Sequence, residues 1–527
     1  MAEATAPGSA AARPWPRIAV ALLAGASLSL AFAPYGAWPL AIAAPATLIW
    51  LWQGATPRAA ARLGFAFSFG TFAAGTYWLY VSIHGFGQAP LWVALLLMLG
   101  LVSIMGLYHA LLGWAIARWL PAQGALRWMV GVPAAWLLVE WLRGWFLSGF
   151  SWLSLGYAPT DTWLVGLAPI GGVYLLSALL LLAAGAVVTL LRREATRAER
   201  IAAGVALLLP WVAGFVAGRI EWTRPAGAPV EVAVVQGAIP QDQKWLDANR
   251  DRTLELYADL TERALGVPLI VWPEAAAPDL ANNIVPYLQS MATRAGERGS
   301  TLVMGVVRAD RPEGARETEY FNSVLSLGRE FAFYDKHHLV PFAEFFPVPG
   351  FVRGWLRLMS LPYSDFTRGA ALQSPLPAAN LRLATTICYE DAYGSTQLPL
   401  LAQANALVNV TNDAWFGRST ARYQHLQISR MRAIEAQRYL VRAANDGVSA
   451  VIGPRGELVA RAAEYVPTVL RARIVPRTGL PPYAHVGNWP VVLLSLLLVA
   501  WAARAARGRA HASRHLPGAA PQPHAGS

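Results

Sequence analysis

Cysteine is almost missing from this chain: Cys388 is the only one in 527 residues. One thiol excludes an intrachain disulfide and any multi-thiolate metal site. Charge is scarce as well. Asp, Glu, Lys and Arg make up 14% of the residues, where a soluble domain usually carries about a quarter. Acidic residues are the scarcer sign, 31 against 43 basic, for a net +12. A cleavable secretory signal is lacking too. The first apolar run has no convincing small-residue cleavage site and passes directly into further apolar runs, so it reads as a retained anchor. What the chain has in quantity is apolar surface, 55% of residues, and 22 Trp. That mixture predicts an integral membrane protein. Its arginines lie mostly beside apolar runs, where membrane topology and anionic headgroups explain them better than nucleic acid does.

Residues 1–16 are Ala/Pro-rich and read as a disordered tail. Apolar runs follow at 17–34, 37–54, 63–83, 91–117, 127–147, 164–190 and 201–218. Each is near the roughly 20 residues a helix needs to cross the hydrocarbon core, so 17–218 is expected to form a seven-helix membrane domain. Arg13 and Arg17, Arg58 and Arg62, Arg118 and Arg127, and the cluster Arg192, Arg193, Arg197 and Arg200 occupy alternate connections. The intervening loops 82–90 and 148–163 carry no Lys or Arg. The positive-inside rule then puts the N-terminus in the cytoplasm. A C-terminal transmembrane helix at 489–503 and a basic tail at 504–527 bring the count to about eight spans.

Residues 220–487 differ in kind. Short β-rich runs (VEVAVVQ, PLIVWPE, TLVMGVV, LRLATTI, ALVNVTN) alternate with helical patterns such as TLELYADLTERAL and PYLQSMATRAGER. Such alternation predicts a layered α/β domain, and the charge pattern places it outside the cytoplasmic membrane. An unpaired cysteine there is a candidate reactive thiol.

Three strand ends hold polar residues in apolar surroundings: Glu274 in LIVWPEAAAP, Lys336 and Glu344 in YDKHHLVPFAEFFP, and Cys388 in LRLATTICYED. Taken alone, Cys388 reads equally well as a small core hydrophobe. A nucleophilic thiol needs a base or a cation. Glu274 suits the base, its pKa raised by desolvation. Lys336 suits both a lowered thiol pKa and an oxyanion. Glu140 and Arg143, three apart in WLLVEWLRGW, could pair on one helical face and read as structural or as a link between the membrane part and the catalytic domain. His337 and His338, adjacent on an extended segment, face opposite ways and do not suggest a shared metal.

These motifs resemble the nitrilase superfamily of carbon–nitrogen hydrolases and, within it, the apolipoprotein N-acyltransferase family. The resemblance rests on VVQGAIPQDQKW (234–245), VWPEAAAP (271–278), YDKHHLVPFAEFFP (334–347), ICYED (387–391) and NVTNDAWFG (409–417), together with the flanking membrane helices. It implies an αββα sandwich and ping-pong acyl transfer without a cofactor or metal. Glu274 would be the base, Lys336 the oxyanion stabiliser and Cys388 the nucleophile. Glu344 would position the lysine and substrate, with Tyr389 and Glu390 supporting the nucleophile. Trp245 and Trp415 match loop aromatics near a lipid entrance, though interfacial anchoring also explains a Trp. The implied donor is a membrane phospholipid and the acceptor the α-amine of a diacylated apolipoprotein. The implied setting is a monomer in the bacterial inner membrane with its catalytic domain in the periplasm. The segment 343–359 is expected either to serve as an apolar lid or to pack against the helices. A membrane-tethered hydrolase would let water resolve the thioester, but it needs no eight-span platform. A transporter should carry ionisable residues in several spans, whereas Glu140 and Arg143 stand nearly alone.

Overall fold

The structure is a computed structural model describing residues 14–311, 317–328, 330–345 and 365–514. From residue 346 onward the expected lid lies outside the described residues, as do residues 1–13 of the N-terminal tail and 515–527 of the basic one.

Among the described residues, seven helices of at least 12 residues precede the α/β part: α1 (Pro14–Leu28), α2 (Leu40–Leu51), α3 (Pro57–Gly75), α4 (Leu91–Trp119), α5 (Val132–Arg143), α6 (Ala168–Leu191) and α7 (Arg197–Ala217). Local sequence sets two of the starts. Thr56 caps α3 by accepting from Ala59 N, with Pro57 in the first turn. Thr196 and Glu199 form a reciprocal capping box on α7. Small residues let helices touch backbone to backbone: a methyl group at Gly25 of α1 would fall 1.8 Å from the Phe67 carbonyl oxygen of α3.

Among the described residues, four helices are long and apolar enough to cross a membrane: Leu91–Trp119, Trp163–Leu191, Arg197–Ala217 and Trp489–Gly508. The apolar runs at 17–34 and 37–54 form shorter helices. The 12 residues of α2 reach about 18 Å at 1.5 Å per residue, against a hydrocarbon core of about 30 Å. Between α5 and α6 the chain does not stay in solvent. Residues 151–160 are buried and carry the helical half onto the catalytic half.

Twelve strands build two six-stranded sheets. The strands are β1 (Val230–Gln236), β2 (Leu269–Val271), β3 (Thr301–Asp310), β4 (Glu319–Leu327), β5 (Phe331–Asp335), β6 (Leu376–Ala378), β7 (Leu381–Ile387), β8 (Ala406–Thr411), β9 (Leu440–Ala444), β10 (Ala450–Ile452), β11 (Leu458–Arg461) and β12 (Thr468–Ile474). One sheet runs β12-β1-β2-β3-β4-β5 and the other β11-β10-β9-β8-β7-β6. In each, three parallel strands form the middle, β1-β2-β3 or β7-β8-β9, and antiparallel strands the edges.

Alternation along each strand decides which side chain enters which layer. Val232 and Val234 of β1 meet Leu383, Ile387, Val408 and Val441 between the sheets. Ala233 and Val235 face outward onto α8 (Asp247–Glu262) and α9 (Val285–Glu297). The second sheet is covered by α10 (Ala421–Ala436). The result is the expected αββα sandwich, with one addition. Ile428, Met431 and Ile434 of α10 also belong to the core of the helical half, so α10 lies between sheet and membrane helices. The chain closes with α11 (Trp489–Arg514).

Candidate active site

Glu274 sits just beyond β2, Lys336 just beyond β5 and Cys388 just beyond β7. The first two come from one sheet and the third from the other, so the groups meet at one end of the sandwich. Cys388 has φ +51°, a left-handed conformation that costs a non-glycine residue energy unless its surroundings enforce it. Strand β7 therefore ends in an elbow that leads at once into a short 3-10 turn, Cys388–Ala392.

The enforcing group is Glu390, which is completely buried. Its carboxylate accepts from Ile387 N (2.9 Å), His337 N (2.7 Å), His338 N (2.9 Å) and Tyr334 Oη (3.0 Å). A single side chain thus ties the cysteine elbow to the segment that carries Lys336.

Lys336 is 1% exposed. Its Nζ lies 2.9 Å from Glu344 Oε1 and 3.5 Å from Glu274 Oε1. Burial opposes the ammonium, but Glu344, Glu274 and Cys388 outweigh it, and the net pKa is raised. Asn322 Nδ2 donates to both carboxylates, at 2.8 Å to Glu274 and 2.9 Å to Glu344. The remaining oxygens are held by backbone: Glu274 Oε2 by Asn412 N (2.9 Å) and Glu344 Oε2 by Val340 N (2.8 Å).

Around Cys388 the charges leave little room for another anion. Burial and the Glu274 carboxylate push the thiol pKa up, while Lys336 and a hydrogen bond from Thr411 pull it down less strongly. The resting site is one cation, two carboxylates and a neutral thiol. Moving the thiol proton onto Glu274 creates a thiolate without changing the total charge.

Two family models match the chain. An apolipoprotein N-acyltransferase N-terminal domain matches residues 24–186, and a carbon-nitrogen hydrolase domain matches 231–479. Apolipoprotein N-acyltransferase of Pseudomonas syringae pv. tomato is 42% identical over 94% of this chain and 97% of its own length. That of Azotobacter vinelandii is 41% identical over 96% of this chain and 98% of its own. The chain belongs to the apolipoprotein N-acyltransferase family. Among solved structures, a carbon-nitrogen hydrolase from Helicobacter pylori G27 matches at 18% identity with a TM-score of 0.36, covering 50% of this chain and 94% of that one.

In this family member the elbow is also braced from behind. His425 on α10 sends Nε2 to the Cys388 carbonyl (3.1 Å) and to Asp391 Oδ1 (3.0 Å), and Nδ1 to Asp413 Oδ1 (2.8 Å). Arg442 Nη2 donates to Asp413 at 2.8 Å, and its Nη1 to Asn409 at 2.7 Å. All four charged groups are fully buried, two of each sign. Burial and Arg442 disfavour a charged imidazole, yet the two aspartates prevail and raise the His425 pKa to about 9. A charged imidazole then donates from both nitrogens.

Tyr389 turns toward the helical half, its ring stacked 6.0 Å from Trp152 and its hydroxyl donating to Gly149 O at 3.4 Å. Trp245 and Trp415 are 49% and 40% exposed. Beside Trp245 lies Lys244, buried, with Nζ donating to the Glu274 carbonyl at 3.2 Å. Burial lowers its pKa to about 8, against the pull of Glu274. Lys244 and Lys336 are the only lysines in the chain.

Two expectations need amendment. Glu140 and Arg143 make no direct ion pair among the described contacts. Glu140 accepts from Ser177 Oγ (2.5 Å) and Leu155 N (3.2 Å). Arg143 donates to Trp152 O (2.7 Å), Ser154 Oγ (3.1 Å) and the Phe150 carbonyl. The two charges clamp the 150–155 loop instead of each other, because that loop brings unpaired backbone groups into the helical core. His337 and His338 pack edge to face at 4.8 Å, and no metal-binding cluster occurs among the described residues.

The sequence reading missed Asn322, Asn412, His425 and Arg442. Only a buried network identifies them, since none falls in an apolar strand-end motif except Asn412 within TNDAWFG.

Proposed function

We propose that the chain transfers an acyl group from a membrane phospholipid to the α-amine of a diacylglyceryl-cysteine at the N-terminus of an apolipoprotein. The carrying observation is the convergence of Glu274, Lys336 and Cys388 from three strand ends, with Lys336 held between two carboxylates. Glu274 takes the Cys388 proton as sulfur attacks the ester carbonyl. The Lys336 ammonium stabilises the oxyanion, with Glu344 and Asn322 fixing its position. Collapse breaks the C–O bond, Glu274 returns the proton to the departing lysophospholipid, and a thioester remains. The incoming amine attacks that thioester, Glu274 accepts an amine proton, and sulfur leaves as the amide forms. Tyr389 and Glu390 hold the elbow. Trp245 and Trp415 sit at the lipid approach.

In this reading the eight apolar helices reside in the bacterial inner membrane, the short α1 and α2 packed among longer neighbours, and 220–487 faces the periplasm. A monomer suffices, and no cofactor takes part. Mass spectrometry of protein exposed to phospholipid tests the covalent step. A hydroxylamine-labile acyl adduct is expected on Cys388 and is lost in Cys388→Ala. An unmodified wild-type Cys388, or an active Cys388→Ala enzyme, refutes it. Single cysteines introduced into a Cys388→Ala background test the orientation. A probe that cannot cross the membrane should reach loop 82–90 and not 192–196.

A further inference from the structure

Where the helical half meets the sandwich, the described residues enclose a cavity of about 300 Å³ that Glu274, Lys336 and Cys388 do not line. Trp141, Trp145 and Ser154 contribute from the helical side, and Arg368, Tyr393 and Arg432 from the other. Its size is at the lower end of pockets that hold small ligands.

Arg432 is 2% exposed and uses only part of its guanidinium. Nη2 donates to Glu435 Oε1 at 3.1 Å, while the buried Nε and Nη1 have no partner. A Cβ on Gly394, itself a wall residue, would lie 1.6 Å from Nη1. The idle Nη1 therefore lies against the cavity wall, and glycine leaves it room. Buried unpaired donors are costly unless a ligand takes them. Charge balance gives the sign of that ligand. Glu435 offsets one arginine, Arg368 adds a second, and burial keeps His338 neutral with a pKa of about 4.

The level of the cavity gives its chemistry. Trp141 packs edge-on against Trp145 (5.3 Å) and at a tilt against Trp489 (6.0 Å), at the end of α5 and the start of α11. Trp145 and Trp489 are 51% and 62% exposed. Exposed tryptophans at the ends of apolar helices mark the depth of lipid headgroups. We infer that this cavity binds the phosphodiester of a phospholipid headgroup through Arg432 and Arg368. The inference rests on phospholipid being the acyl donor. Ala392–Gly394, in the cavity wall, follow closely after Cys388. In a glycerophospholipid the phosphate and ester carbonyls share one glycerol, so a phosphate held here keeps its esters near the segment that carries Cys388.

The test compares single-turnover acylation of Cys388 by a phosphatidyl lipid with acylation by the p-nitrophenyl ester of the same fatty acid. Both are read by mass spectrometry on the full chain in detergent. Losing two charge-assisted hydrogen bonds predicts that Arg432→Lys lowers the phospholipid-to-ester ratio roughly tenfold or more. Arg368→Gln should lower it by a smaller factor. A ratio unmoved in both variants overturns the site. Misfolding lowers both rates together, and the exposed Arg368 then decides the outcome. Inorganic phosphate that slows only the phospholipid reaction shows a phosphate-binding cavity. If it slows neither reaction while the ratios fall, the cavity takes only the lipid-borne diester. If wild type accepts acyl groups from the ester alone, the donor reading falls and the headgroup site with it. If wild type uses phospholipid and the ratios hold, only the cavity assignment falls.

Discussion

Glu390 is fully buried, and the site depends on the hydrogen bonds its carboxyl group accepts. Its two oxygens serve four donors from two chain segments. Asn322 plays the matching part for the carboxylates around Lys336. Removing its amide in Asn322→Ala deletes two hydrogen bonds to charged groups, each worth about 1.5–3 kcal/mol. Acyl transfer should fall at least roughly tenfold while the protein still inserts, as measured by lipoprotein acylation per mole of membrane-extracted enzyme. A subtler residue is Gly305 on β3. A Cβ there would lie 2.5 Å from Glu274 Cα and 2.6 Å from Pro273 O, both backbone. Gly305→Ala must displace the turn that aims Glu274, and displacements near 1 Å cost on the order of a hundredfold in rate. A Gly305→Ala enzyme with wild-type turnover would contradict that account.

At the scale of elements, α10 explains most of what the sequence hid. Strands β1, β7 and β8 were legible because apolar runs ended in turn residues or chemistry. Helices α8 and α9 were legible because one face is polar. Helix α10 offers no such stripe: it is buried on both sides and polar on both sides. Gln424 and Gln427 bond to Trp152 Nε1 (2.7 Å) and Ala33 N (3.1 Å) in the helical half. His425 and Ser429 face the aspartates behind Cys388. Strands β6 and β10 were missed because they are only three residues long, and β11 and β12 because they are half-exposed. Glu274, Lys336 and Cys388 were readable because each follows an apolar strand, and the bracing behind them was not, because many buried networks would serve. The same helix carries a pH dependence. His425 has its pKa raised from 6.5 to about 9 in the folded chain. Its contribution to stability is complete below the lower value and is lost as pH rises through the upper one. Denaturant midpoints should therefore fall across that window, and His425→Gln should flatten the fall.

For the whole molecule, the shared core is the governing fact. Ile428, Met431 and Ile434 pack with the helical half, so residues 220–487 made alone would expose an apolar face and its buried polar partners. That fragment should aggregate or bind a hydrophobic dye, whereas co-expression with 1–219 should rescue it. A soluble, monodisperse fragment would show that the halves are independent. One more property belongs to the entire chain. An enzyme that stores a fatty chain as a thioester threatens every unprotonated side-chain amine within reach. Lys244 and Lys336 are each 1% exposed, and arginine supplies the rest of the positive charge, with a guanidinium that stays protonated. The outer surface therefore carries no lysine amine to be fattened by mistake.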